Sequence, residues 1–163
     1  MPAAGQEGLR DLSVQVVDAT VVRPLRHAVL RAGRPEAESR YPQDADGLTL
    51  HLAAWAGGTL VGCCTVVAEG HAGVPGATRQ LRGMAVDAAW RSRGVGAALL
   101  QAMNDCLASA GVARVWCNAR VGARAFYLRE GWLQVGEAFS LVGLPHVVMW
   151  RGVPPRHPEA PPA

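Results

Sequence analysis

Apolar and polar residues alternate with a period of two in several short runs and recur at helical spacing in a few longer ones, and glycine or proline marks nearly every change. Leu12–Val17 reads as a first strand. Asp18 or Thr20 can cap the helix that follows, with Pro24 tolerated in its first turn, and Ala32-Gly33-Arg34-Pro35 stops it after about Arg31. Glu36–Gly47 is polar and carries Pro42, which predicts a loop or short helix over the functional side. Leu48–Trp55 and Thr59–Glu69 are strand-like and joined by Ala56-Gly57-Gly58, a hairpin signal.

After a flexible Gly70–Ala77 loop, Arg79–Val86 predicts a fourth strand. Gly94–Ala110 predicts a helix with Val95, Leu99, Leu100, Met103, Cys106 and Leu107 on one face, ended by Gly111. Ala113–Asn118 is a fifth strand, Val121–Glu130 a short helix, and Trp132–Phe139 and His146–Trp150 are closing strands around Gly143–Pro145. The order β-α-β-β-β-α-β-α-β-β predicts an α/β (α+β) fold, a mixed and mainly antiparallel sheet with helices on both faces. One domain is expected over 12–151, between a flexible segment at 1–11 and a proline-rich tail at 152–163.

Composition narrows the class. With 163 residues, half of them hydrophobic and 18% charged, the chain suits one globular core rather than a disordered or fibrous protein. No apolar run approaches the roughly 20 residues of a spanning helix, and Met1–Arg10 lacks the pattern of a signal peptide, so a cytoplasmic location is expected. The net charge of +3 is mild and no basic block suggests a nucleic-acid partner. All sixteen basic residues are arginine, whose guanidinium favours planar contacts with phosphate and carboxylate. Cys63, Cys64, Cys106 and Cys117 form no C-x-x-C pair and have no histidines at zinc spacing, so buried reduced thiols and no metal are expected.

The chemistry concentrates in one turn. Arg91-Ser92-Arg93-Gly94-Val95-Gly96 lies between a strand and a helix start, where consecutive backbone N–H groups, the helix dipole and two arginines converge on a site suited to pyrophosphate. Gly94 and Gly96 let phosphate oxygens come close to the main chain. A Walker loop is excluded by the missing Gly-Lys-Ser/Thr ending, and a dinucleotide fingerprint by the missing third glycine.

This turn resembles the (Gln/Arg)-x-x-Gly-x-(Gly/Ala) signature of the GNAT (GCN5-related N-acetyltransferase) superfamily, in the place that family gives it. A second stretch, Arg120–Trp132, resembles the family's Asn-x-x-Ala-x-x-Phe-Tyr-Glu-Lys-x-Gly-Phe segment, with Ala123, Phe126, Tyr127 and Gly131 in register and Trp132 for the usual phenylalanine. Trp116–Arg120 and Pro145–Trp150 look like a subgroup of small bacterial members.

The resemblance implies acetyl-coenzyme A as donor, its pyrophosphate on the N–H groups of Arg91–Ala97 and its pantetheine along Met84, Ala85 and Val86. It further implies Ala123 and Phe126 at the coenzyme and Tyr127 as proton donor to the departing thiolate. Arg120 stands where the family often has a coenzyme-binding asparagine, and Asn118 can serve in its place. The oxyanion donors expected are the N–H groups of Met84 or Ala85. A carboxylate common in the family is replaced by Gln80, which cannot take a proton, leaving Glu69, His51, His71, His146, Asp87 or a water chain as base. Arg82, on the face of Gln80, is either a reader of an anionic acceptor or a surface arginine.

The expected activity is acetyl transfer to a primary amine of a small molecule by direct attack in a ternary complex. The alternatives are a protein or peptide acetyltransferase and a non-catalytic acyl-coenzyme A sensor. A homodimer is expected through a late strand edge near Val147–Trp150.

Overall fold

The computed structural model describes residues 11–155. The expected flexible start lies almost wholly outside them, and so does most of the expected tail. Seven strands form one sheet: β1 (Leu12–Val16), β2 (Leu50–Ala56), β3 (Thr59–Val67), β4 (Arg79–Val86), β5 (Arg114–Arg120), β6 (Leu133–Leu141) and β7 (Leu144–Gly152). Three α-helices join them: α1 (Ala19–Leu30), α2 (Val95–Ser109) and α3 (Arg124–Arg129). The order across the sheet is β1-β2-β3-β4-β5-β7-β6, and the β4–β5 pair alone is parallel. The expected fold class is therefore the observed one, and the α/β alternation needed for a parallel crossover is supplied by α2.

Period-two alternation distributes the core. Leu52, Ala54, Cys64 and Val66 pack with Val95, Leu99, Leu100 and Met103 of α2, while Ala53, Cys63 and Ala85 face the other way onto Val22 and Leu25 of α1. A third cluster, with Val74, Ala77, Trp116 and Val148, seats the Gly70–Ala77 loop. Cys63, Cys64 and Cys117 are buried free thiols, as small apolar side chains would be.

Several local expectations are corrected. Asp18 is the N-cap of α1 but makes no side-chain capping bond, and Pro24 lies in the second turn, where it removes a ladder donor. On α2 the buried face includes Asn104, whereas Cys106 is only half-buried. Val121–Glu130 is a 3-10 turn (Val121–Ala123) followed by the shorter α3. The edge expected at Val147–Trp150 is not free, because β7 runs between β5 and β6; the outer strand is β6.

Two irregularities open the sheet at its centre. Opposite Cys64, β4 carries the two residues Gly83 and Met84 between the pairs Thr65↔Arg82 and Cys63↔Ala85. Gly83 has φ +58°, the left-handed conformation such a bulge asks of glycine. On its other side β4 pairs with β5 only through Arg79, Gln80 and Leu81. Beyond Leu81 and Cys117 the two parallel strands part, and β5 stays tied to β7 as far as Arg120.

Candidate active site

Where β4 and β5 part, a cleft of ≈ 620 Å³ opens. Gln80, Arg82 and Met84 of β4 line it from one side, and Trp116, Asn118 and Arg120 of β5 from the other. The end of α1 with Tyr41 and Gln43 lines a third side, and Ala123, Phe126 and Tyr127 a fourth. The polar Glu36–Gly47 segment thus lies over the cleft, as its composition predicts, as a 3-10 turn (Glu36–Ser39) and further turns.

The unpaired main chain of β4 faces this opening. Asp87 N–H donates to Val61 O at 2.9 Å, and Ala85 pairs with Cys63 in the same register. Alternation along the strand then turns the Ala85 N–H toward β3 and those of Met84 and Val86 toward the side that β5 has left. Of the two expected oxyanion donors, Met84 is the one whose N–H this geometry offers to the cleft.

Tyr127 is held by the way α3 ends. The helix stops at Glu130, Gly131 takes φ +83°, and the N–H groups of Gly131 and Trp132 return to the carbonyls of Leu128 and Tyr127. That closure brings Trp132 against Tyr127, ring centroids 5.1 Å apart, with Phe126 on another side at the same spacing. The phenol is 5% exposed. Burial, then the neighbouring Cys117 and Cys64, pushes its pKa well above the ordinary value.

The turn expected to bind pyrophosphate, Arg91–Gly96, adjoins the cleft but does not line it. Asp87 caps a short 3-10 turn (Ala88–Trp90) by accepting from Ala89 N–H, and Arg91, Ser92, Arg93 and Gly94 follow, all exposed. Arg93 lies over the Trp90 ring at 5.1 Å. Ser92 has φ +59°, a left-handed conformation uncommon for a side chain other than glycine and concentrated at functional turns. Gly94 N-caps α2 at φ +85°. Val95 is buried and fits where a Cβ on Gly62 would meet it at 2.6 Å, so the turn is anchored in the core. A Cβ on Gly96 would meet the Phe126 ring at 2.9 Å, which ties the turn to the cleft wall. Ala97 is half-buried just beyond.

The candidate bases separate. His51 is inside the fold, with Nδ1 bonded to Thr65 Oγ1 at 2.9 Å and Nε2 to Asp44 O at 3.0 Å. His71 accepts from Gly73 N–H and packs at a tilt against the Trp116 ring; Asp87 is spent as a cap. Glu69 and His146 line the cleft. His146 Nδ1 lies 2.8 Å from Leu144 O, an acceptor only, so Nδ1 donates there and the neutral ring has its lone pair on Nε2. Among the described residues no group of three or more His, Cys, Asp or Glu is placed to hold a metal.

Arg120 lines the cleft and is tied to its far wall. Its Nη2 donates to Leu30 O at 3.2 Å, the last residue of α1, across the cleft and 90 residues away. Sequence reasoning also missed a buried polar cluster behind the wall. Arg26, 1% exposed, bonds Asp44, Ser39 O and Thr65, and the Tyr41 ring lies between its guanidinium and that of Arg82.

Comparison with known proteins gives the family and the fold. The family model of an acetyltransferase (GNAT) domain matches residues 25–151. The chain belongs to the GNAT family. It is 30% identical over 142 residues to the uncharacterized N-acetyltransferase YitI of Bacillus subtilis, covering 86% of this chain and 95% of that one. The fold is shared with a Pseudomonas aeruginosa acyl-CoA N-acyltransferase (TM-score 0.64, 23% identity, 86% of this chain and 99% of that one). It is shared too with an aminoglycoside 6'-N-acetyltransferase complexed with coenzyme A (TM-score 0.67, 15% identity, 90% and 99%). The chain is thus an acyltransferase, an enzyme of the acetyltransferase family. None of the helices among the described residues is long and apolar enough to cross a membrane.

Proposed function

We propose that the enzyme moves an acetyl group from acetyl-coenzyme A to a primary amine of a small molecule by direct attack within a ternary complex. The parting of β4 from β5 carries this reading. It leaves the Met84–Val86 stretch without a partner on its β5 side, beside a cleft floored by a buried phenol, with the Arg91–Gly96 turn next to it.

The residues fit the coenzyme. Arg91–Ala97 would hold the pyrophosphate, the edge of Met84 and Val86 the pantetheine, and Asn118, Ala123 and Phe126 its flanks. The coenzyme A complex of the aminoglycoside acetyltransferase, on the same fold, supports this choice of donor. Bound there, acetyl-coenzyme A supplies an acyl thioester, an electrophile matched to an amine.

Each role then falls to a residue of this chain. The Met84 N–H is a fixed donor for an oxygen on which negative charge develops, effective because it needs no reorganisation. His146 presents the Nε2 lone pair to an amine proton, and Glu69 is the other proton acceptor on the wall. Tyr127 holds its proton throughout the working pH range. A phenol so weakly acidic is matched to the departing thiolate only if the same burial keeps that thiolate strongly basic.

Tyr127→Phe tests the assignment. The expected result is a fall in kcat of about 100-fold with coenzyme affinity, by calorimetry, within about twofold of the parent. Unchanged kcat returns Tyr127 to a packing role, and a parent protein that does not bind acetyl-coenzyme A removes the reading altogether.

A further inference from the structure

Arg82 is the last residue of β4 before the bulge, and its guanidinium carbon is 4.1 Å from the Tyr41 ring centroid. The Arg26 guanidinium is 3.9 Å from the same centroid. Two guanidinium groups this close to one ring occupy its opposite faces, and their circumstances differ. Arg26 is buried and neutralised by Asp44 at 2.9 Å. Arg82 is half-exposed on the cleft wall, and among the described residues its guanidinium has neither an ion pair nor a hydrogen bond. Stacking fixes its plane while leaving its N–H donors unspent.

The rest of the wall adds to this charge. Arg31 and Arg120 line the same cleft, and each donates to one carbonyl, Leu30 O, at 2.9 and 3.2 Å. That carbonyl ends α1 and accounts for part of their attraction, but neither arginine meets a carboxylate. Three guanidinium groups therefore share a cleft whose lining contains one carboxylate, Glu69, paired with none of them. A partly enclosed cleft with unbalanced charge of one sign concentrates ligands of the other.

We infer that the acceptor is an amine that also carries an oxyanionic group, carboxylate or phosphate, and that Arg82 takes this group as a planar fork with Arg31 beside it. The inference rests on the reading of the cleft as the acetyl-transfer site. The pyrophosphate does not need Arg82, since the Arg91–Gly96 turn has arginines of its own and lies outside the cleft lining. Nor does the fold need it, since Tyr41 keeps its stack on Arg26. Arg82 precedes Met84 by two residues, across the bulge at Gly83, so an anion held there sets a compact amine near the Met84 N–H.

The test pairs each of several amino acids with its carboxamide, and an aminoalkyl phosphate with its amino alcohol, using acetyl-coenzyme A and the full chain. Acids are expected to exceed their neutral partners in kcat/KM by about tenfold or more, the worth of a charge-assisted bidentate contact. Whether carboxylates or phosphates lead identifies the group. In Arg82→Gln the KM for acids should rise about tenfold with kcat and coenzyme Kd little changed, and the preference should vanish; Arg31→Gln should weaken it less. Equal use of acids and neutral amines, or a preference that survives Arg82→Gln, overturns the inference, and so does a loss of coenzyme affinity in Arg82→Gln.

If the parent binds acetyl-coenzyme A but turns over none of these amines, calorimetry decides the matter. The coenzyme A complex is titrated with N-acetyl amino acids and their carboxamides, and equal affinity for the two overturns the inference. Failure of the parent to bind coenzyme is a separate outcome, which sinks the underlying reading instead.

Discussion

Arg26 is the residue on which the Tyr41 wall of the cleft is built, and nothing in its local sequence marks it. It sits on a helix face at a position that otherwise faces the core, 1% exposed, and its partners Asp44 and Thr65 are 18 and 39 residues away. A buried guanidinium is tolerable only because Asp44, Ser39 O, Thr65 and the Tyr41 ring meet it together. Burial alone would raise the Asp44 carboxyl. The hydrogen bonds from Arg26 and the Tyr41 N–H, and the nearby positive charge, outweigh that and hold it below the usual carboxylate value. Asp44→Asn keeps the shape and removes the charge, which should cost about 3–5 kcal/mol in urea unfolding at pH 7 because Arg26 is left buried and unpaired. A depressed carboxylate contributes stability above its unfolded pKa of roughly 4 and loses it as pH falls through the lower folded value, so the variant should also lack that acid-side step. A loss under 1 kcal/mol would mean that water reaches Arg26. His51 was legible as a titratable residue but not as a spent one, because both its ring partners come from this cluster.

At the scale of elements, period-two and helical patterns carry the strand order in sequence, the two glycine-stopped helices and the Arg91–Gly96 turn, since each is a local signal. The bulge in β4 is not local. Gly83 is one glycine inside a strand pattern, and only the register of β3 against β4 shows that Gly83 and Met84 stand opposite Cys64. The same holds for the parting of β4 from β5, which depends on β5 following β7 instead. Gly83→Ala tests how far the site depends on this device. A Cβ there would meet Arg26 Nε and Tyr41 Oη at 3.1 Å, in a backbone conformation that costs a side chain about 1–2 kcal/mol. The expected outcome is a stability loss of about 2 kcal/mol together with a kcat reduced at least about tenfold, because relief of the strain moves Met84. Loss of stability with full kcat would show that the Met84 N–H is not part of the catalytic arrangement.

For the whole molecule, the order of strands across the sheet was the least legible property. Composition and alternation predict a mixed sheet, but the insertion of β7 between β5 and β6 is a matter of long-range pairing, and it moves the free edge to β6. The same long-range assembly sets the alkaline limit of stability. Burial raises the thiols of Cys63 and Cys117 to about 12 and that of Cys64 further still, and Tyr127 rises with them. In the unfolded chain a thiol ionises near 8.5. Above that pH the unfolded state gives up protons that the folded state keeps, so it binds fewer of them, and the unfolding free energy must fall as pH rises. The slope is on the order of 1 kcal/mol per pH unit for each buried thiol, and urea unfolding between pH 8 and 10.5 should show it. Cys63→Ala and Cys117→Ala should each flatten the decline by about one thiol's share, whatever they cost at pH 7. In the native protein only half-buried Cys106 should react promptly with a thiol reagent, and all four should react once the chain is unfolded. Stability that stays level to pH 10.5, or prompt labelling of more than one thiol, would mean that the sheet opens far enough to admit water to its core.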